Sequence, residues 1–309
     1  MRRRGQLMMM IAADTPDMAR LGGLRDLVEP TVEAAFEDVA SSVAPLGEAI
    51  RYSLLAGGKR IRPMLCLAAA QACDGDVAAI APIAASFELV HAYSLVHDDL
   101  PAMDDDDLRR GMPTSHVVYG EATAVLVGDA LQARAFELVA SAEGVPAERR
   151  IAIVSLLARA AGWQGMVGGQ YLDIDATRVD HADLTALRDV HGRKTGALIA
   201  GAIQAGAIAA GAHDADADRF AVFGRELGWL FQLVDDLLDA TGSSESLGKT
   251  PGKDERSGKV TAVDAFGGVD ALRTAVDEQL RCCLDLAEAL PAGGGDLPDV
   301  ARFVHARDH

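Results

Sequence analysis

Along most of the chain apolar residues return every three or four positions, the repeat expected of helices that bury one face. Ile83, Phe87, Val90 and Ser94 follow one another in this way toward Asp98. Alanine, leucine and other strong helix formers dominate, and continuous strand-like runs of β-branched and aromatic residues are absent. The pattern predicts helices near 17–42, 63–73, 79–98, 120–141, 147–166, 183–191, 195–211, 215–240 and 269–289. Breaks are expected at Gly57-Gly58, Pro101, Gly111 to Pro113 and Gly144 to Pro146. The polar stretch from Thr241 to Lys259 reads as an exposed, mobile flap. No linker divides the chain, so 16–309 is expected to be one all-α domain behind a disordered tail at 1–15.

Charge narrows the classes of function. Among 309 residues, 46 are acidic and 29 are Lys or Arg, a formal net charge of −17. That argues against a nucleic-acid surface, which needs a basic stripe. It leaves room for an anionic ligand held by a local basic cluster. Cys66, Cys73, Cys282 and Cys283 have neither zinc-ligand spacing nor a disulfide framework; Cys66 and Cys73, in an apolar run, are expected to be buried thiols, and a reducing cytoplasm fits. Two segments bear on localisation. Met1-Arg2-Arg3-Arg4 followed by Leu7 to Ala13 has a basic lead, but its apolar core is at the lower limit for a signal peptide. Gly196 to Ala212 approaches the length of a membrane span, yet Gln204 and spaced glycines point to a tightly packed core helix.

Three segments carry candidate chemistry. In His97 to Thr114, HDDLPAMDDDDLRRGMPT, six of the ten residues from Asp98 to Asp107 are aspartate, followed by Arg109-Arg110. A solvated acidic loop would account for the charge, but this run ends a strongly apolar helix and is interrupted by Pro101 and Met103. Carboxylates fixed at a helix end, with arginines beyond, suit a magnesium-bridged phosphate. Asp235-Asp236-Leu237-Leu238-Asp239 places Asp235 and Asp239 on one helical face, where like charges repel unless a cation lies between them. Gly57-Gly58-Lys59-Arg60-Ile61-Arg62-Pro63 offers a close-approaching backbone and a positive fork before a helix. Lys194-Thr195-Gly196, Lys249 and Lys259 are weaker signals of the same kind.

Together with GMVGGQYLD (Gly165 to Asp173), HGRKTGALI (His191 to Ile199) and FQLVDDLLD (Phe231 to Asp239), these segments resemble the short-chain trans-polyprenyl diphosphate synthases, most closely the bacterial farnesyl diphosphate synthases. The likeness runs from about Val43 to Phe266 in the family's order. It implies a single-domain helical bundle of the isoprenoid synthase type, with a central cavity between two aspartate-rich helices. It implies three Mg2+ ions around an allylic diphosphate, held by Asp98 and Asp104 from one helix and Asp235 from the other, with Asp99 and Asp239 in support. Arg109, Lys194, Lys249 and Lys259 would contact that diphosphate, and Lys59, Arg62, His91 and Arg110 would hold isopentenyl diphosphate. Thr195 and Gln232 would ease the allylic cation, and Tyr93 with Ser94 would form the floor that limits product length to farnesyl, with geranylgeranyl or geranyl diphosphate as the alternative product. A cytoplasmic homodimer is implied, with no membrane span and no nucleic-acid partner. The chain departs from the family in VTAVDAFGG, which lacks an aromatic-proline pair after Lys259, and in Val234, where a second glutamine is common. Terpene cyclases and head-to-head synthases share the fold but do not need GGKRIRP with Arg110, and a non-catalytic partner subunit would be expected to lose aspartates from one motif.

Overall fold

The computed structural model describes residues 18–176, 184–241 and 261–307. The expected tail, the flap and its two lysines, Lys249 and Lys259, lie outside the described residues. Fourteen α-helices make up almost all of the rest. In chain order they are α1 (Met18–Ala34), α2 (Ala44–Leu54), α3 (Ile61–Ala72), α4 (Val77–Asp98), α5 (Ser115–Tyr119), α6 (Glu121–Ala140) and α7 (Ala147–Ala161). They continue as α8 (Met166–Ala176), α9 (Leu184–His191), α10 (Ala197–Ala210), α11 (Asp214–Thr241), α12 (Ala262–Phe266), α13 (Val269–Glu288) and α14 (Leu297–His305). Among the described residues the strands are limited to a two-residue hairpin, β1 (Leu108–Arg109) with β2 (Met112–Pro113), pairing Arg109 with Met112.

The fold is organised around α4. Asp76 starts it, its carboxylate accepting from the backbone N–H groups of Ala78 and Ala79 at 3.0 and 3.3 Å. The helix is apolar on nearly every side because α1, α3, α6 and α10 all pack against it, and Phe87, Leu89 and Val90 are fully buried. On the other flank α10 lies between α3, α7 and α11, with Leu198, Ala202, Ile203 and Ala205 fully buried. This is the packed core helix expected for Gly196–Ala212. Its glycines let backbones touch: a Cβ on Gly206 would lie 1.9 Å from the Cys66 carbonyl oxygen of α3. A Cβ on Gly228 of α11 would lie 2.6 Å from the Cα of Gly196. Cys66 and Cys283 are buried, Cys73 and Cys282 half-buried, and all four are free thiols.

Five helices fall where none was expected: α2, α5, α8, α12 and α14. α2 occupies 44–54 and is opened by Pro45 in its first turn. α8 occupies 166–176, a stretch to which the periodicity assigned no helix; a Cβ on Gly169 would lie 2.2 Å from the Lys194 backbone nitrogen, so that glycine serves close packing. α14 closes the described chain. Two described helical stretches, Val77–Asp98 and Ala147–Asp175, are long and apolar enough to cross a membrane; the first is mostly buried in the protein's own core.

Candidate active site

The aspartate run folds back on the end of α4. Asp98 is its last residue, and the backbone N–H of Asp104 donates to the Asp98 carbonyl at 2.8 Å, while Asp106 N–H donates to the Asp99 carbonyl at 3.2 Å. The loop therefore caps the helix and brings its carboxylates back beside Asp98. Negative side chains at a helix C-terminus oppose the helix dipole, so this end of α4 calls for cations. One is already there. Asp99, 3% exposed, accepts from Arg109 Nε at 2.8 and 2.9 Å and from Nη2 at 2.5 Å. Burial raises the Asp99 carboxyl despite the pull of Arg109, and the Arg109 guanidinium is held more firmly charged by Asp99. Asp99, expected near the metal, thus has its carboxylate on Arg109. Asp98 is pushed up to about 6 by burial first and by Asp104 and Asp99, against the pull of Lys194 and Arg109.

Opposite stands α11. Gly228 against Gly196 brings the next turn of α11 onto a π-helical turn, Gly192–Gly196, that joins α9 to α10. In consequence the Thr195 hydroxyl donates to Gln232 Oε1 at 3.3 Å. The Gln232 amide donates in turn to Asp236 at 2.8 Å, and the other Asp236 oxygen accepts from Ala262 N–H at 2.8 Å. Lys194, from the same π turn, donates to Asp173 of α8 at 2.7 Å. Asp235 accepts from Arg307 Nη2 at 2.8 Å, and that guanidinium lies 3.9 Å over the Phe231 ring. Asp239 is exposed on the same face of α11.

The glycine loop completes the site. Gly57 and Gly58 have φ of 84° and 145°, and the Arg110 guanidinium packs against Gly58 while donating to the Gly57 carbonyl. A side chain on Gly58 would occupy the space Arg110 fills. His91 is held well below its ordinary value by burial and then by Arg62, Arg110, Arg109 and Arg60, so its imidazole is neutral. Lys59 is lowered by burial and by Arg307, and feels Asp235; Arg62 feels Glu88, Asp235 and Arg110. Lys194 is thus electrostatically joined to Asp98, and Lys59 and Arg62 to Asp235. The basic loop thus lies within electrostatic reach of Asp235 on α11, and its neighbour Arg110 within reach of Arg109, which is held by Asp99 at the end of α4. Tyr93 is buried on α4, its ring meeting His97 edge-on at 5.8 Å, and Ser94 donates to the His91 carbonyl.

Among the described residues no three acidic, histidine or cysteine side chains close around a point as a ready-made chelate. That fits Mg2+, which takes one or two carboxylates and fills its shell with phosphate and water oxygens. The carboxylates of Asp104 and Asp99 near Asp98, and the guanidinium drawn onto Asp235, both mark places where positive charge is favoured.

A helical bundle that gathers two carboxylate-bearing helices and a basic loop has the charges to hold a metal-bound anion. Comparison with known proteins agrees and is more specific. Residues 43–285 match the polyprenyl synthetase family model, and the chain belongs to that family. It is 44% identical to the chloroplastic geranylgeranyl pyrophosphate synthase of Catharanthus roseus over 90% of its length and 79% of the relative's. The crystal structure of an FPP/GFPP synthase from Zymomonas mobilis matches with TM-score 0.81 and 32% identity, covering 97% of this chain and 99% of that one. A geranyltransferase from Helicobacter pylori, complexed with magnesium and isoprenyl diphosphate, matches with TM-score 0.82 and 32% identity over 93% and 96%. The chain is a prenyltransferase of the trans type.

Sequence reasoning did not find Asp173, Asp236 or Arg307. Asp173 and Asp236 lay inside quoted motifs, GMVGGQYLD and FQLVDDLLD. Arg307 meets Asp235 across 72 positions with no local signal.

Proposed function

We propose that the enzyme condenses isopentenyl diphosphate head-to-tail with dimethylallyl and then geranyl diphosphate, and that farnesyl diphosphate is its product. What supports the reading is the electrostatic grouping: Asp98 feels Asp104 and Lys194, Lys59 and Arg62 feel Asp235, and His91 feels Arg62 and Arg110. Asp98, Asp104 and Asp235 would hold Mg2+, with Asp239 nearby and Asp99 acting through Arg109. When bound, the metal draws charge from the diphosphate leaving group. Arg109, fixed by Asp99, and Lys194, fixed by Asp173, bind and orient the allylic diphosphate. Lys249 and Lys259 join them in this reading. As the carbon–oxygen bond breaks, the Thr195 hydroxyl and Gln232 amide set dipoles at the cationic carbon. The terminal alkene carbon of isopentenyl diphosphate then forms the new bond, and a proton leaves to the released diphosphate. Neutral His91 beside Arg62 and Arg110 donates to the second diphosphate without adding charge to a crowded basic site.

Tyr93, a bulky side chain buried on α4 about one turn before Asp98, would stop an apolar tail with Ser94 beside it, and this supports the farnesyl product. A second reading, a twenty-carbon product, is favoured by relatives such as the Catharanthus roseus enzyme, which is named for geranylgeranyl pyrophosphate. The exposed apolar side chains Val117, Val118, Val125 and Leu126 of α5 and α6, with Ile151 of α7, support a homodimer. The free thiols support a reducing cytoplasm. Incubation with isopentenyl diphosphate, dimethylallyl diphosphate and Mg2+, followed by chain-length analysis, tests the proposal. Farnesyl diphosphate is expected; geranylgeranyl diphosphate would select the second reading, and no elongation would refute both.

A further inference from the structure

Arg60 sits between Lys59 and Arg62, the two residues assigned to isopentenyl diphosphate, yet its own guanidinium turns into the core and its side chain is 2% exposed. It donates from Nη1 to Glu88 at 2.8 Å, from Nε and Nη2 to Glu29 at 3.2 and 3.1 Å, and from Nη2 to the Leu54 carbonyl at 3.1 Å. Its backbone is left-handed, φ 50° and ψ 36°, a conformation that costs a residue with a Cβ and persists only where surroundings enforce it. The three acceptors come from three places. Leu54 ends α2. Glu88 is buried on α4, ten residues before Asp98, or about 15 Å along the helix axis. Glu29 is on α1, outside the 43–285 region that matches the family.

Two carboxylates on one guanidinium, Glu88 buried and Glu29 half-buried, exceed what charge balance of that residue alone requires. Glu88 is also the first charge that Arg62 and Arg110 feel after burial, so it offsets the mutual repulsion of the basic loop. The network therefore ties the loop that presents Lys59 and Arg62 to the helix whose end carries Asp98 and Asp99. A condensation between two diphosphate-anchored substrates depends on the distance between their anchors, because a displacement of about 1 Å from attack geometry can cost about a hundredfold.

We propose that Arg60 is a positioning residue that fixes Lys59 and Arg62 relative to the carboxylate end of α4, and that α1 takes part through Glu29. The inference rests on the reading of Lys59 and Arg62 as the isopentenyl diphosphate site.

Steady-state kinetics with both substrates, alongside melting temperatures, test it on Arg60→Lys, Glu29→Gln and, as control, Arg62→Gln. Arg60→Lys keeps the charge but cannot reach three acceptors. It is expected to raise KM for isopentenyl diphosphate about tenfold while KM for the allylic diphosphate stays within about twofold. Glu29→Gln keeps the Glu88 contact and is expected to raise the same KM by about threefold. An unchanged isopentenyl KM in Arg60→Lys, or parallel rises in both KM values tracking lost stability, would overturn the positioning role. Should Arg60→Lys fail to fold, Glu29→Gln decides: a wild-type KM there overturns the proposal. If Arg62→Gln folds and leaves the isopentenyl KM unchanged, the site assignment itself has failed, an outcome distinct from the others.

Discussion

Asp99→Asn separates two roles that the aspartate run could give this residue. The carboxylate is 3% exposed and makes three contacts of 2.5–2.9 Å to Arg109. Removing one partner of a fully buried pair costs about 3–5 kcal/mol. Arg109 keeps 22% of its side chain exposed, so water recovers part of its charge and about 2–3 kcal/mol is the better figure. With an unfolding entropy of about 2.1 cal/mol/K per residue over 309 residues, that is a fall in Tm of about 3–5 °C. The assay is thermal unfolding of metal-free protein, followed by Mg2+ titration of activity. Asp99→Asn should melt lower without metal and raise KM for the allylic diphosphate, while the Mg2+ midpoint stays within about twofold. A variant that melts higher without metal and needs far more Mg2+ would show Asp99 to be a ligand, and the pairing argument would be refuted.

Other expectations follow from the same geometry. Asp98 binds a proton more tightly in the folded than in the unfolded state, so metal-free protein should lose stability as pH rises from about 4 to about 6. The loss is at most roughly 3 kcal/mol, and Asp98→Asn should abolish it; a pH-independent stability difference between the two proteins would contradict this. Arg307→Met removes a guanidinium from Asp235 and from the Phe231 ring, and should lower the metal-free Tm by about 3 °C while enlarging the stabilisation by Mg2+ and diphosphate. An unchanged response to Mg2+ would show that Arg307 and the ion do not compete. Gly206→Ala drives a methyl into the Cys66 carbonyl, backbone against backbone, and should cost about 3 kcal/mol or more; wild-type Tm would show that α3 and α10 can part freely.

How far the sequence reached depended on whether the signal was local. The Asp-rich ends of α4 and α11 were legible because apolar periodicity and acidic runs sit within one element. GGKRIRP was legible because glycines and cations adjoin. α8 was not, since Gly168 and Gly169 carry a loop's composition, and the packing reason for Gly169 exists only once Lys194 lies against it. The pairs Arg60 with Glu29, Lys194 with Asp173 and Arg307 with Asp235 join distant segments, and residue type alone gives no partner. The division of labour between Asp98 and Asp99 was likewise invisible: neighbours in the chain, they point to different partners because successive helical positions face about 100° apart.

The central claim is that Asp98 and Asp235 grip the same metal-bound diphosphate from opposite helices. A non-ionising allylic thiolodiphosphate, titrated with Mg2+ into wild type, Asp98→Ala, Asp235→Ala and the double variant, measures this directly. Each single change should weaken Mg2+-dependent binding by about tenfold or more, and the double variant should lose clearly less than the product of the two. Losses that multiply independently, or binding that does not respond to Mg2+, would show that the two carboxylates do not share a site.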